Sequence, residues 1–223
     1  MEPVDNLQDE PMNSSRALKI WNRNAFFYDL MTSVFERWGK SPRIKQGMFS
    51  QIKGRALEIG IGPGNSIQFY PQAAEVSAID ISPKMLARAK RKAAPYRAKL
   101  NMDVMDVERL GFRDNTFDMA VTTCVFCSVP DPVAGLNEVR RVLKPGGRLL
   151  MFEHVLSQNR RAAFIMNLIN PIISRLFGPN INRDTVGNVR RAGLKVVKDE
   201  AVMAGDIFRR IDAIKPGVDE KGE

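Results

Sequence analysis

Leu57-Glu58-Ile59-Gly60-Ile61-Gly62-Pro63-Gly64-Asn65-Ser66 sets three glycines at alternate positions directly after a short apolar run, Arg55 to Ile59. The run predicts a buried strand. The glycines predict a tight turn in which φ can be positive and a ligand can approach the main chain closely. Their G-x-G-x-G spacing lacks the G-x-G-x-x-G register that cradles a dinucleotide pyrophosphate. A turn of this kind is a weak signal by itself, because a plain strand-to-helix connection also uses glycine.

The sequence on either side alternates strand-like and helix-like segments. Upstream, Leu18, Trp21, Ala25, Tyr28, Met31 and Phe35 recur at helical spacing, predicting two or three helices between Ser14 and Ile52, with Ser14 or Ser15 as the first cap. Downstream we expect a helix after the glycine turn, a strand from Glu75 to Ile79, and a helix started by Ser82-Pro83. Strands Lys99 to Val104 and Phe117 to Cys124 follow. A helix from Pro132 to Leu143, closed by Lys144-Pro145-Gly146-Gly147, leads to a strand from Arg148 to Val155. Asp184 to Ala192 reads as a helix stopped at Gly193, and Leu194 to Val202 with Ile207 to Ile214 as an antiparallel hairpin at the sheet edge. Such alternation implies an α/β fold with a mostly parallel sheet.

Open parallel sheets take their ligands at the carboxyl ends of the strands. Asp80 falls there, twenty positions after Gly60, where its carboxylate can accept from both hydroxyls of a ribose. Ile81 and Met85 offer apolar and thioether faces to an adenine ring. Asp106, after the third strand, can accept from the adenine amino group, with the Val107 N–H facing a ring nitrogen.

Together these stretches resemble the class I S-adenosylmethionine-dependent methyltransferases, within them the UbiE-like group (methyltransferase type 11). The resemblance runs through Trp21 to Asp29, Glu58 to Gly64, Asp80-Ile81-Ser82, Met105-Asp106-Val107, Arg113 to Asp118 and Val142 to Gly147. It implies a Rossmann-like seven-stranded sheet with an antiparallel last strand, helices on both faces and an N-terminal helical cap. The cofactor implied is S-adenosylmethionine, held by Glu58, Gly60, Gly62, Gly64, Asn65, Asp80, Ile81, Met85, Asp106, Val107 and Cys124. Trp21 departs from the pattern, which often has a tyrosine near the methionine end of the cofactor.

The C-terminal half resembles a subgroup of membrane-associated thiol and lipid methyltransferases, through Cys127 to Asp131, Glu153-His154-Val155 and Leu176 to Asp184. That likeness implies a substrate-side insert, residues 158–183, capping the acceptor pocket. Within it Ala162 to Phe177 is apolar, broken at Pro171, and bracketed by Arg160, Arg161 and Arg175. It reads either as an interfacial segment or as a lid packed on the body. The resemblance puts Phe26, Phe27 and Tyr28 over the site, where helical spacing alone would make them core. Phe27, Tyr28 and His154 are therefore the candidate substrate residues, with Tyr28 and His154 as catalytic candidates. His154 is the sole histidine, and a structural role is an equal reading. In-line positioning near a sulfonium can suffice for an amine or thiolate, so a general base is not required.

The 223 residues, 44% hydrophobic and 26% charged, fit one domain over residues 14–216. Residues 1–13 and 217–223 read as acidic, disordered tails. Setting aside the four acids of residues 1–11 and the net two negative charges of residues 219–223 raises the formal charge from +9 to +15. That field favours polyanions, an anionic membrane surface or acidic substrates, and does not choose among them. Cys124 and Cys127 on an extended strand would have Cα atoms ~10 Å apart at ~3.3 Å per residue, beyond a disulfide's reach of about 7 Å. A lone histidine argues against zinc, so no metal is expected. Neither a signal peptide nor a spanning helix is read, which places the chain in the cytoplasm or peripherally on its membrane face.

The acceptor is expected to be small and hydrophobic or amphiphilic: first a phospholipid amine of the phosphatidylethanolamine type, then a quinone carbon, then a small thiol. RNA methylation is disfavoured, because Thr122-Thr123-Cys124-Val125 lacks an Asn-Pro-Pro-aromatic pattern. A non-catalytic cofactor-binding scaffold is the remaining alternative.

Overall fold

A computed structural model describes residues 13–24, 41–94 and 99–217. The expected tails, apart from Asn13 and Gly217, lie outside the described residues, as do Phe26, Phe27 and Tyr28. Helix α1 is described over residues 14–24, followed by α2 (Ser41–Phe49), β1 (Arg55–Ile59), a 3-10 turn (Ile67–Phe69), β2 (Glu75–Asp80) and α3 (Pro83–Ala93). Then come β3 (Lys99–Val104), β4 (Phe117–Thr123), α4 (Pro132–Val142), β5 (Leu143–His154), α5 (Arg160–Phe177), α6 (Thr185–Arg191), β6 (Lys195–Met203) and β7 (Phe208–Ile214).

The strands form one seven-stranded sheet in the order β3-β2-β1-β4-β5-β7-β6. The first five are parallel to one another, while β7 runs antiparallel to both β5 and β6. Alternation along each strand splits the core into two layers. Leu57, Ile59, Ile79, Ala120, Leu149 and Met151 pack with Leu136 and Val139 of α4 and Val189 of α6. Ala56, Val76, Ala78, Val121, Leu150 and Phe152 pack with Met48 and Phe49 of α2 and Leu86 and Ala89 of α3. Each large apolar side chain so buried contributes roughly 1.5–3 kcal/mol.

The helices that aim the strand ends at the site start as their sequences dictate. Ser82 accepts from Met85 N–H at 3.2 Å with Pro83 in the first turn of α3, and Asp131 caps α4 ahead of Pro132. Such caps are worth about 1 kcal/mol each. Asn13, and neither Ser14 nor Ser15, caps α1, its Oδ1 accepting from Arg16 N–H at 2.8 Å.

Three expectations need correction. The helix after the glycine turn is only the 3-10 turn Ile67–Phe69, because Gly64 and Pro71 leave too few residues between them for a longer helix. Lys144 to Gly147 does not precede β5 but interrupts it: the register jumps from Phe117 opposite Leu143 to Met119 opposite Arg148. Pro171 does not break α5. It removes one backbone donor, and the Asn167 position left short of that donor is exposed to water.

Candidate active site

A cavity opens at the carboxyl ends of β1 to β4. Its floor is Ile59, Gly60 and Gly62; one side is Ile79, Asp80, Ile81 and Met85, continued by Met105, Asp106 and Val107. The segment after β4 contributes Thr123, Cys124, Val125, Ser128, Val129 and Pro130, and α1 contributes Ala17 and Trp21.

The three glycines serve different ends. A Cβ on Gly60 would lie 2.3 Å from Val125 Cγ2, so Gly60 lets the post-β4 segment close onto the turn. A Cβ on Gly64 would lie 2.9 Å from the Ala89 backbone, so Gly64 lets the turn pack on α3. Gly62 has φ +56° with nothing within 4 Å of a Cβ there. It is the only one of the three with open space where a Cβ would stand, and it lines the cavity.

Asp80 organises that turn. Its Oδ2 accepts from Gly62 N–H at 2.9 Å and its Oδ1 from Ser82 N–H at 2.8 Å. Burial raises its pKa, and the two backbone donors counter that rise. Asp106 accepts from Glu108 N–H at 2.9 Å through Oδ1.

Of the residues read as cofactor-binding, Gly60, Gly62, Asp80, Ile81, Met85, Asp106, Val107 and Cys124 line this cavity, whereas Glu58, Gly64 and Asn65 do not. Glu58 points to the α2 face, where it accepts from the Tyr70 hydroxyl. Burial pushes its carboxyl up to about 8, opposed by the Ser66 hydroxyl and by the charge of Lys45. Asn65 turns outward to accept from Lys92 Nζ.

His154 also stands off the wall. Its ring meets Phe208 edge-on, centroids 5.0 Å apart, and its buried Nδ1 has no hydrogen-bond partner among the described residues. Burial lowers its pKa, favouring the neutral ring. Cys124 and Cys127 do not share an extended strand as expected: β4 stops at Thr123, Cys124 takes φ 54°, and Cys127 Sγ comes within 3.6 Å of the Cys124 carbonyl. Both remain free thiols, and burial pushes Cys127 up to about 12.

The sequence reading missed how α1 is fastened over the cavity. Ser82 Oγ donates to Asn22 Oδ1 at 2.6 Å, Arg23 Nη2 to the Leu176 carbonyl at 2.8 Å, and Asn24 Nδ2 to the Phe177 carbonyl at 3.1 Å. Helix α1 thus joins the rim of the cavity to the last turn of α5. Periodicity found the helix, but no local signal names partners 60 or 153 residues away. The same holds for Val125, whose role appears only against Gly60.

Residues 57–151 match the family described as a methyltransferase domain. The chain is 30% identical over 208 residues to a thiol S-methyltransferase of Rattus norvegicus, covering 85% of this chain and 84% of that protein. It is 33% identical over 143 residues to the phosphatidylethanolamine N-methyltransferase of Cereibacter sphaeroides, covering 63% and 67%. Among solved structures, the cyclase SpnF has the same fold, with a TM-score of 0.73 over 93% of this chain and 97% of that one, at 17% identity.

Proposed function

The chain belongs to the class I S-adenosylmethionine-dependent methyltransferases, and from that premise we propose that it methylates an amphiphilic acceptor drawn from a membrane surface, a phospholipid amine before others. The observation that carries this reading is α5. Of the nine large apolar residues exposed among the described ones, seven are on that helix: Phe164, Ile165, Leu168, Ile169, Ile172, Leu176 and Phe177. Only Met166 of its eighteen residues is buried. No described helix is long and apolar enough to cross a membrane. An apolar stripe with Arg160, Arg161 and Arg175 near its ends suits the plane of a lipid interface.

The cavity residues fit the cofactor. Gly62 leaves open space a side chain would fill, and Ile59, Ile81, Met85 and Val107 supply apolar wall beside two carboxylates. Asp80 and Asp106 would hold ribose and adenine, with Gly60 and Gly62 under the remainder. When bound, S-adenosylmethionine supplies a sulfonium methyl to a nucleophile. The protein's own contribution is orientation and exclusion of water, with Trp21 and Ala17 of α1 across the cavity. Asp80 and Asp106 are given to the turns and to the cofactor, and His154 is off the wall, so neither carboxylate nor the histidine is assigned as proton acceptor.

A thiol acceptor is the second reading, favoured by the long match to the Rattus norvegicus enzyme. Methyl transfer from labelled cofactor should be followed into phosphatidylethanolamine vesicles, a thiol panel, a quinone and RNA. The lipid reading expects label in the vesicle fraction. Label confined to thiols would replace it with the second reading.

Sedimentation with anionic vesicles is expected to bring down the protein at low salt, less so as salt screens the charges. Phe164, Leu168 and Ile172, one stripe spaced by four residues, are 69%, 68% and 63% exposed. Changing all three to serine should weaken binding by at least about tenfold, since each buried side chain is worth more than 1 kcal/mol. Cofactor affinity should stay within about twofold of wild type, because none of the three lines the cavity. Equal binding to neutral and anionic vesicles would remove the electrostatic half of the reading.

A further inference from the structure

We propose that Glu153 and Arg183 are positioning residues for methyl transfer, because together they fix the segment Cys124 to Pro130 that walls the cavity. Strand β4 stops before this segment, so few ladder bonds hold it; Cys124 N–H still donates to the Phe152 carbonyl at 2.8 Å. Other parts of the chain supply the rest. Glu153 Oε1, at the end of β5, accepts from Val125 N–H at 3.0 Å and Phe126 N–H at 3.4 Å, and from Thr122 Oγ1 at 3.3 Å. Arg183 Nη2 donates to the Val129 carbonyl at 2.9 Å, and Asn180 N–H to the Cys127 carbonyl at 2.7 Å. The segment is therefore held at its start by β5 and further along by the stretch that follows α5.

Glu153 is fully buried. Burial pushes its carboxyl up to about 7 despite the N–H groups it accepts, and its Oε2 has no partner among the described residues. A buried carboxylate is a poor way to stabilise a fold. What it achieves here is to fix two backbone donors of an irregular segment. The fixation matters because Val125 fills the space beside Gly60, where a Cβ would come within 2.3 Å of it. A displaced segment would alter both the turn's ceiling and the wall formed by Cys124, Ser128 and Val129. Misplacement by about 1 Å can cost about a hundredfold in rate.

The test compares Glu153→Leu, Glu153→Gln and Arg183→Met with wild type, all with S-adenosylmethionine bound. Amide exchange is read over the Cys124 to Pro130 peptide, the carbon-13 resonance of a labelled cofactor methyl by NMR, and cofactor Kd by calorimetry. Glu153→Leu should speed exchange in that peptide by at least about tenfold. The same variant should shift or broaden the bound methyl resonance, while Kd changes by less than about threefold. Glu153→Gln keeps a carbonyl oxygen and should restore both readouts. Arg183→Met should loosen the Val129 end alone, and it carries the test if Glu153→Leu does not fold. A folded Glu153→Leu, or Arg183→Met in its place, with wild-type exchange and methyl resonance would overturn the proposal. So would loss of cofactor affinity in step with loss of segment order, which would make these residues supports of the cofactor site itself.

Discussion

Gly62→Val is expected to abolish cofactor binding in a protein that still folds. The substitution has two separable effects. A β-branched residue at φ +56° is strained, which costs roughly 1–2 kcal/mol. It also puts a branched side chain into the open space over the turn, where nothing of the protein lies within 4 Å of the Cβ. The first effect lowers stability, and only the second excludes a ligand. Gly146→Val separates them. Gly146 has φ +74° and also meets nothing within 4 Å, but it sits in the interruption of β5 at the other end of the sheet. Both variants should lose similar stability. Thermal stabilisation by saturating cofactor, about 2.7 kcal/mol at a hundredfold excess over Kd, should persist in Gly146→Val and vanish in Gly62→Val. Cofactor-dependent stabilisation retained by Gly62→Val would show that the turn serves another purpose.

The contrast between Gly62 and Glu58 shows what the sequence could reveal about the site. Strands β1 and β2 were legible because their apolar runs are short and bounded by glycine or charged residues, and β3 because its apolar residues alternate with polar ones. Once the strands are known, residues at or just past their ends fall beside the cavity, and Asp80 and Asp106 were readable by that rule. Glu58 belongs to the same motif, but strand alternation sends it to the face opposite Leu57 and Ile59, where Tyr70 meets it. Gly64 and Asn65 lie one step further along the turn, which has by then bent onto α3. The motif's chemistry was visible, and its division between cavity and packing was not. Nor was the fastening of α1 to α5, because it uses carbonyl oxygens that every residue possesses. The apolar character of α5 was plain in the sequence, but its exposure depends on what the rest of the fold leaves uncovered.

Asp80→Ala should reduce cofactor affinity at least about tenfold, the equivalent of 1.4 kcal/mol. Each carboxylate oxygen has two acceptor positions. One on Oδ2 is taken by Gly62 N–H and one on Oδ1 by Ser82 N–H, so each oxygen keeps one for a ribose hydroxyl. Charge-assisted bonds of that kind are worth roughly 1.5–3 kcal/mol, and alanine removes both. It also frees the Gly62 turn and the cap of α3, so calorimetry must be paired with a melting curve. Asp80→Asn keeps one acceptor oxygen and should fall between wild type and alanine in both measurements. Acidification offers an independent check on the wild-type protein. Burial raises the Asp80 pKa, while hydroxyl donors on the cofactor favour the ionised form. Affinity should therefore fall as pH is lowered, starting above the range in which an exposed aspartate titrates, and that fall should be absent from Asp80→Asn. An alanine variant that stays folded and binds the cofactor with wild-type affinity would remove Asp80 from the ribose site and leave it only the turn to hold.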